Sequence, residues 1–428
     1  MSADRQVSGV PPRSGVRTAA IGAACASALD LLVVSHDGDD YVLGRPDLGR
    51  YVVVPEPGAV FVTALRAGES VAAATARASR VAGTEVDGAD FLEGLAAAGM
   101  FDMPTPTTTR EPASGTGPAR RIRWIKGVSP SAARPLFGPV AWSGYALATA
   151  TVVALLIAVP PLRPTFEHWW WLPDPVLSVL LLLPPAWLLA GVHEAWHWLA
   201  GRSIGVPAVF RVSYRGIFLV FETDLTQLAG TPRRLRYRVF LAGLAIDVTL
   251  LAVALVLRLA YRTDVISMAG WVDRLLAALA LNLMFGMVWQ WAALVLRTDG
   301  YALLANALRC HDLARATRLV TKDRLLGLTE GETAELAAIG DRDRAVARWF
   351  GLLYLAGLVV MGWLLLRYAV PFGASMVWWV GDNVVHPVIA SVTFWESAAV
   401  LAVVIGQYAV VPLLALRERR LRRAGVLR

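Results

Sequence analysis

The sequence predicts a mainly α-helical membrane protein with six transmembrane helices, preceded by a small N-terminal α+β domain. Three observations carry that reading. Of 428 residues, 56% are hydrophobic and only 17% are charged, against about 45–50% and roughly 25% in soluble domains. Mean hydropathy is +0.52. The charge is also divided unevenly: residues 1–105 hold 8 Lys+Arg against 13 Asp+Glu, a net of −5, so the remainder holds 33 against 20, a net of +13.

The acidic part comes first. Residues 1–27 read as a polar N-terminus without the pattern of a signal peptide, because the apolar stretch from Ile21 is interrupted by Asp30. Residues 28–101 read as a small domain. Alternating apolar residues in Leu31–Val34, Tyr41–Leu43 and Tyr51–Val54, separated by Asp-Gly and Pro-Asp turns, predict a short antiparallel sheet. Helical patterns follow at 57–66, 69–82 and 88–99. Residues 102–118 are rich in Pro, Thr and Gly and read as a flexible linker.

Apolar stretches long enough to cross a bilayer occupy 137–160, 176–200, 239–261, 274–296, 349–371 and 388–416 within a membrane domain spanning 119–428. Basic residues flank them: Arg120, Arg121, Arg123 and Lys126 precede the first, and six arginines fall in 417–428. The connecting segments 160–174, 262–272 and 372–387 are nearly free of Lys and Arg, whereas 201–238 and 297–348 are Arg-rich. By the positive-inside rule both termini are expected in the cytoplasm. Trp169, Trp170, Trp171, Trp378 and Trp379 then fall on the outer side, where an aromatic belt is expected. The same placement argues that the basic residues face a membrane, with no nucleic-acid partner. Two cysteines, Cys25 and Cys310, neither in a CxxC, exclude a disulfide framework and a dithiol redox motif.

Chemistry concentrates in one motif. His193-Glu194-Ala195-Trp196-His197 is an HExxH near the end of the second span. On a helix, residues i and i+4 share a face, so both imidazoles can reach one ion while the glutamate serves as general base. Six His and 13 Glu placed at random in 428 residues give this match in roughly one chain in 400. A polar residue inside a span costs about 3 kcal/mol, so three together on an apolar helix call for partners. Two interfacial histidines bonded to carbonyls or headgroups would leave the glutamate and the spacing unexplained.

A catalytic zinc takes a third protein ligand and leaves a position for water. His36, His168, His311 and His386 are poorly placed for this. Asp299, in Arg297-Thr298-Asp299-Gly300-Tyr301, lies at the corresponding end of the fourth span and matches the depth of the histidines. Taken alone, Asp299-Gly300 would read as a helix-terminal cap. Asp247, deep in the third span, is a functional candidate by its location, with neutralisation or an arginine partner as the plain alternative. Val206–Leu225 alternates apolar and polar residues around Tyr-Arg-Gly and predicts a hairpin. That hairpin could hold an extended substrate beside the metal or merely plug the site's mouth. Residues 310–346 are charged and predict helices.

The HExxH followed by a later Asp-Gly resembles the site-2 protease family of intramembrane zinc metalloproteases. The likeness runs from Leu189 to Leu304 and includes Ala200-Gly201-Arg202, Gly205-Val206, Phe218–Asp224, Ala242-Gly243 and Asp299-Gly300-Tyr301 with Leu303-Leu304. It is greatest for the peptide zinc metalloprotease branch. The resemblance implies a site-2-protease-like core within 176–304, one Zn2+ held by His193, His197 and Asp299, Glu194 as catalytic base, and a bacterial cytoplasmic membrane location. The family's Asn-Pro before the Asp-Gly is absent, and Ala242-Gly243-Leu244 with Asp247 replaces an Ala-Gly-Pro and Asn pattern. Asn282 and Gln290 are therefore the candidates for substrate binding or oxyanion stabilisation.

The N-terminal domain resembles the PqqD-like fold, or RiPP recognition element, a winged-helix relative. Asp40-Tyr41-Val42-Leu43, Gly58-Ala59-Val60-Phe61, Arg66-Ala67-Gly68-Glu69-Ser70-Val71 and Phe91-Leu92 with Leu95 and Gly99-Met100-Phe101 carry that likeness. It implies a leader-peptide partner added to the sheet edge; a domain that only docks on the membrane part is the alternative. The expected activity is zinc-dependent hydrolysis of a peptide bond in a small ribosomally made precursor. The alternatives are a regulatory protease cutting a single-span protein such as an anti-sigma factor, and a non-catalytic peptide-binding or export partner.

Overall fold

The computed structural model describes residues 28–38, 40–48, 50–101, 128–206, 208–215, 218–224 and 226–423. The linker 102–118, the N-terminus 1–27 and the basic residues before the first span lie outside them. The chain divides into two compact units, Met1–Ala113 with Thr226–Pro232, and Ser114–Leu225 with Arg233–Arg428. The 226–232 segment thus departs from the expected division at the linker. Gly230 permits the approach, since a β-carbon there would lie 3.3 Å from the Tyr51 ring.

In the first unit β1 (Val33–Asp37), β2 (Asp40–Arg45) and β3 (Arg50–Pro55) form an antiparallel meander in the order β1-β2-β3. Helices α1 (Glu56–Arg66), α2 (Val71–Ala82) and α3 (Gly88–Ala97) follow. Local chemistry sets their ends. Ser70 caps α2 by accepting from Ala73 N–H, Gly83 closes it at φ 68°, and Asp87 caps α3 by accepting from Ala89 and Asp90 N–H. Leu43, Phe61, Val62, Ala74, Leu95 and Met100 form the core. Arg45 is fully buried beside it and is satisfied by both Asp47 carboxylate oxygens and the Met100 carbonyl. Hydrogen bonding to that guanidinium holds the Asp47 carboxyl below its ordinary value.

The second unit is mainly helical. Its long helices are α4 (Pro139–Ala158), α5 (Pro175–Ser203), α6 (Arg233–Phe240) running into α7 (Ala242–Arg262), α8 (Gly270–Ala292) and α12 (Asp341–Val385). These supply five helices long and apolar enough to cross a membrane. The sixth expected span is helical within α13 (Val392–Arg423), but its described apolar stretch, Val392–Val403, falls short of a crossing. Between α5 and α6 the hairpin β4 (Val209–Arg215) and β5 (Phe218–Asp224) pairs antiparallel, Arg215 opposite Phe218, as the alternation predicts. After α8 come α9 (Asp299–Ala307), α10 (Leu313–Leu326) and α11 (Glu330–Ala338).

Helix α7 is the centre of the bundle. Its most apolar window is 61% buried against 6% for α4, and it packs on α4, α5 and α8. Buried Ala242, Gly243, Ala245, Ala252 and Ala254 let those backbones approach. One expectation needs correction. Residues 372–387, expected as an outer loop, lie mostly in α12, which reaches Val385. A π-helical turn at Leu365–Ala369 precedes Pro371, and the wider turn lets the helix continue past a ring that would clash in α geometry. The Trp169–Trp171 segment is held by neighbouring aromatic rings and the next helix: Trp169 meets Phe285 and Phe372, Trp170 stacks on Phe372, and Trp171 donates to the Ser178 carbonyl.

Candidate metal centre

Helix α5 is 29 residues long, about 44 Å, and His193 lies 18 residues past its first residue Pro175, about 27 Å along the axis. The motif therefore lies in the second half of the helix. Asp174 caps the other end by accepting from Val176 and Leu177 N–H. Because i and i+4 share a face, the two imidazoles converge, with His193 Nε2 and His197 Nε2 3.2 Å apart.

Asp299 reaches the same point from a different element than expected. The fourth span stops at Ala292, a 3-10 turn covers Leu294–Leu296, and Arg297 adopts φ 55°. Asp299 is thus the first residue of α9, with its carboxylate at a helix N-terminus, where negative charge is favoured. Thr298 Oγ1 donates to the Gln290 carbonyl at 2.6 Å, and Asp299 N–H donates to Gln290 Oε1 at 3.2 Å. Gly300 is required by the same approach, since a β-carbon there would lie 2.6 Å from the Gln290 carbonyl oxygen.

Asp299 Oδ2 lies 3.1 Å from His193 Nε2 and 3.1 Å from His197 Nε2. Among the described residues these three are the group of side chains able to hold a metal ion. Their edges of 3.1, 3.1 and 3.2 Å are close to the roughly 3.3–3.4 Å edges of a tetrahedron with metal–ligand bonds of about 2.0–2.1 Å. The remaining ring nitrogens are engaged. His193 Nδ1 lies 2.8 Å from Asp247 Oδ2, and His197 Nδ1 lies 2.7 Å from the Val239 carbonyl oxygen. With Nδ1 donating in each case, both Nε2 lone pairs face the shared point, the tautomer that metal ligation requires.

The expected residues therefore separate into distinct positions. His193, His197 and Asp299 converge. Asp247, a functional candidate by depth alone, is the hydrogen-bond partner of His193. Gln290 supports the Asp299 backbone, while Asn282 lies eight residues, about 12 Å, farther along α8. Glu194 Oε1 accepts from Thr223 N–H at 2.5 Å, and its carbonyl accepts from Thr223 Oγ1 at 3.1 Å. The hairpin thus touches the HExxH through strand β5.

Sequence reasoning missed two positions. Thr223 gives no local signal for its contact 29 residues away. Gly243 belongs to the Ala242-Gly243 pair already noted, but its role needs the helix packing: a β-carbon there would lie 2.4 Å from His193 Cε1 and 2.5 Å from both Nε2 atoms. No protein-family model, curated protein or solved structure matches this chain.

Proposed function

We propose that this chain is an intramembrane metallopeptidase of the site-2 protease kind, hydrolysing a peptide bond at the centre formed by His193, His197 and Asp299. The observation that carries the reading is the near-equilateral triangle of two histidine nitrogens and a carboxylate oxygen, with Glu194 next in sequence to one ligand. Two neutral imidazoles and a carboxylate suit zinc among the divalent ions. When bound, zinc would polarise the scissile carbonyl and make water a usable nucleophile near neutral pH.

The chain's own residues have separable tasks in this proposal. His193, His197 and Asp299 hold the ion, and Asp247 and the Val239 carbonyl fix the imidazole tautomers. Glu194 takes a proton from the attacking water and returns it to the departing amine. Thr223 N–H occupies Glu194 Oε1, which leaves Oε2 for that proton. The substrate we favour is a small ribosomally made precursor recruited by residues 28–101.

The deciding experiment compares wild type with Glu194→Gln in full-length protein that retains stoichiometric zinc. Peptide turnover is expected to fall by at least about 100-fold, the scale of general-base catalysis. Equal turnover refutes the assignment. Deleting residues 1–105 then separates substrates: a large loss of cleavage supports the precursor, and intact cleavage supports a single-span protein instead.

A further inference from the structure

A second site lies in the helices that follow the metal centre in sequence. Helices α10, α11 and the first turns of α12 enclose an open cavity of about 350 Å³ lined in part by Asp323, Arg324, Thr333, Ala337, Arg344 and Arg348. Three guanidinium-bearing residues thus face one carboxylate. The neighbouring acids are committed elsewhere. Glu335 pairs with Arg315, Glu332 with Lys322 and Asp341 with Arg344, while Asp343 accepts from His311 and Asp312 N–H. Even after Asp341 is counted against Arg344, the cavity keeps a net positive charge. Arg348 makes no side-chain hydrogen bond or ion pair among the described residues.

The residues that follow the lining arginines in sequence indicate the occupant. Arg324 Nη1 donates to the Arg348 carbonyl at 2.8 Å, which brings the end of α10 against α12. Immediately after Arg324, Leu325 and Leu326 are 70% and 83% exposed; one and four residues after Arg348, Trp349 and Leu352 are 45% and 65% exposed. Those α12 residues open the apolar stretch of a candidate membrane span. Exposed leucines and a tryptophan next in sequence to Arg324 and Arg348, where a candidate span begins, match an interfacial phosphate site. A soluble phosphate would use the arginines and leave the leucines unexplained.

We propose that this cavity binds the phosphodiester headgroup of an anionic phospholipid, whose acyl chains lie along Leu325, Leu326, Trp349 and Leu352. Arg348 and Arg324 supply the charge-assisted hydrogen bonds, the chemistry guanidinium groups bring to phosphate oxygens. The site fastens the α10–α11 pair to the membrane surface and rests on no part of the hydrolytic reading.

The test is native mass spectrometry of the full-length protein titrated with phosphatidylglycerol or phosphatidylcholine, with inorganic phosphate and glycerol phosphate as competitors. One phosphatidylglycerol is expected to bind in preference to phosphatidylcholine. Arg348→Gln is expected to weaken it by about tenfold or more, the scale of one charge-assisted contact. Ala337→Phe, which fills the cavity from an exposed position and keeps every charge, is expected to weaken it as well. Arg318→Gln, the same charge change on the exposed face of α10, should leave it unaltered. The proposal is overturned if phosphatidylglycerol shows no preference, or if Arg348→Gln and Ala337→Phe both bind as wild type. Phosphate binding that depends on Arg348 without retained phosphatidylglycerol also overturns it.

Discussion

Replacing Gly243 with alanine would place a β-carbon 2.4 Å from His193 Cε1 and 2.5 Å from the Nε2 atoms of His193 and His197. Tolerable separations begin at 3.0 Å, so the rings must retreat by at least 3.0 − 2.4, about 0.6 Å, even to reach a tight contact. Neither ring is free to do so. His193 is held at Nδ1 by Asp247 and His197 by the Val239 carbonyl, at 2.8 and 2.7 Å, and both rings stand on the rigid helix α5. Metal sites tolerate deviations of about 0.2 Å in ligand distance. The shift is three times that, so Gly243→Ala is expected to lose at least about 100-fold in zinc affinity, the upper range for disturbing groups that orient ligands. The assay is zinc stoichiometry of purified protein together with competition against a chelator. Gly286→Ala is the control, because nothing lies within 4 Å of a β-carbon there. Wild-type zinc affinity in Gly243→Ala would refute the packing argument.

Further outcomes follow from other contacts. Asp247→Asn removes the charge opposite His193 Nδ1 and is expected to cost about 10–100-fold in metal affinity by the same titration, with the fold intact; unchanged affinity would deny Asp247 its orienting role. Arg258, 1% exposed inside α7, pairs with Asp273 at 2.9 Å, so Arg258→Met is expected to destabilise the protein by about 3–5 kcal/mol in a thermal melt. The double change Arg258→Met with Asp273→Leu should recover much of that loss, and a double variant less stable than the single would contradict the paired reading. Burial, with Asp343 nearby, pushes the Cys310 thiol up to about 12 from its ordinary 9.0. In a Cys25→Ser background, maleimide labelling at pH 8 should therefore require unfolding. The sign is set by an unfolded thiol that ionises first: this contribution is whole below pH 9 and fades as pH rises toward about 12. Rapid labelling of folded protein would show the thiol to be accessible.

What was legible in the sequence is what local periodicity encodes. The HExxH is readable because four residues make about one helical turn, and the hairpin because polar and apolar residues alternate between Val209 and Asp224. Asp299 is readable by depth, although the chain delivers it from the start of α9 after the break at Arg297. The contacts that orient the site were not readable. Thr223 to Glu194, Asp247 to His193 and Gln290 to Asp299 join separate elements, and their pairing depends on how helices and hairpin pack. The continuation of α12 past Pro371 was hidden for a related reason: one proline reads as a stop unless a π turn accommodates it.

Helix α7 explains why so few charges within the spans suffice. Gly243, Asp247, Leu251, Ala254 and Arg258 are all buried. At about 100° per residue they fall within roughly 80° of one another, a single stripe along the helix. One end of that stripe floors the candidate metal centre with Gly243 and holds His193 through Asp247; the other end, about 22 Å away, ties α7 to α8 through Arg258 and Asp273. A rotation of α7 that withdrew Gly243 from the histidines would also carry Arg258 away from Asp273. The costs of burying these charges are thereby coupled in one rigid element, and only one setting of α7 satisfies both ends. A bundle of interchangeable apolar side chains fixes helix rotation weakly, so the paired charges specify the register on which His193, His197 and Asp299 depend.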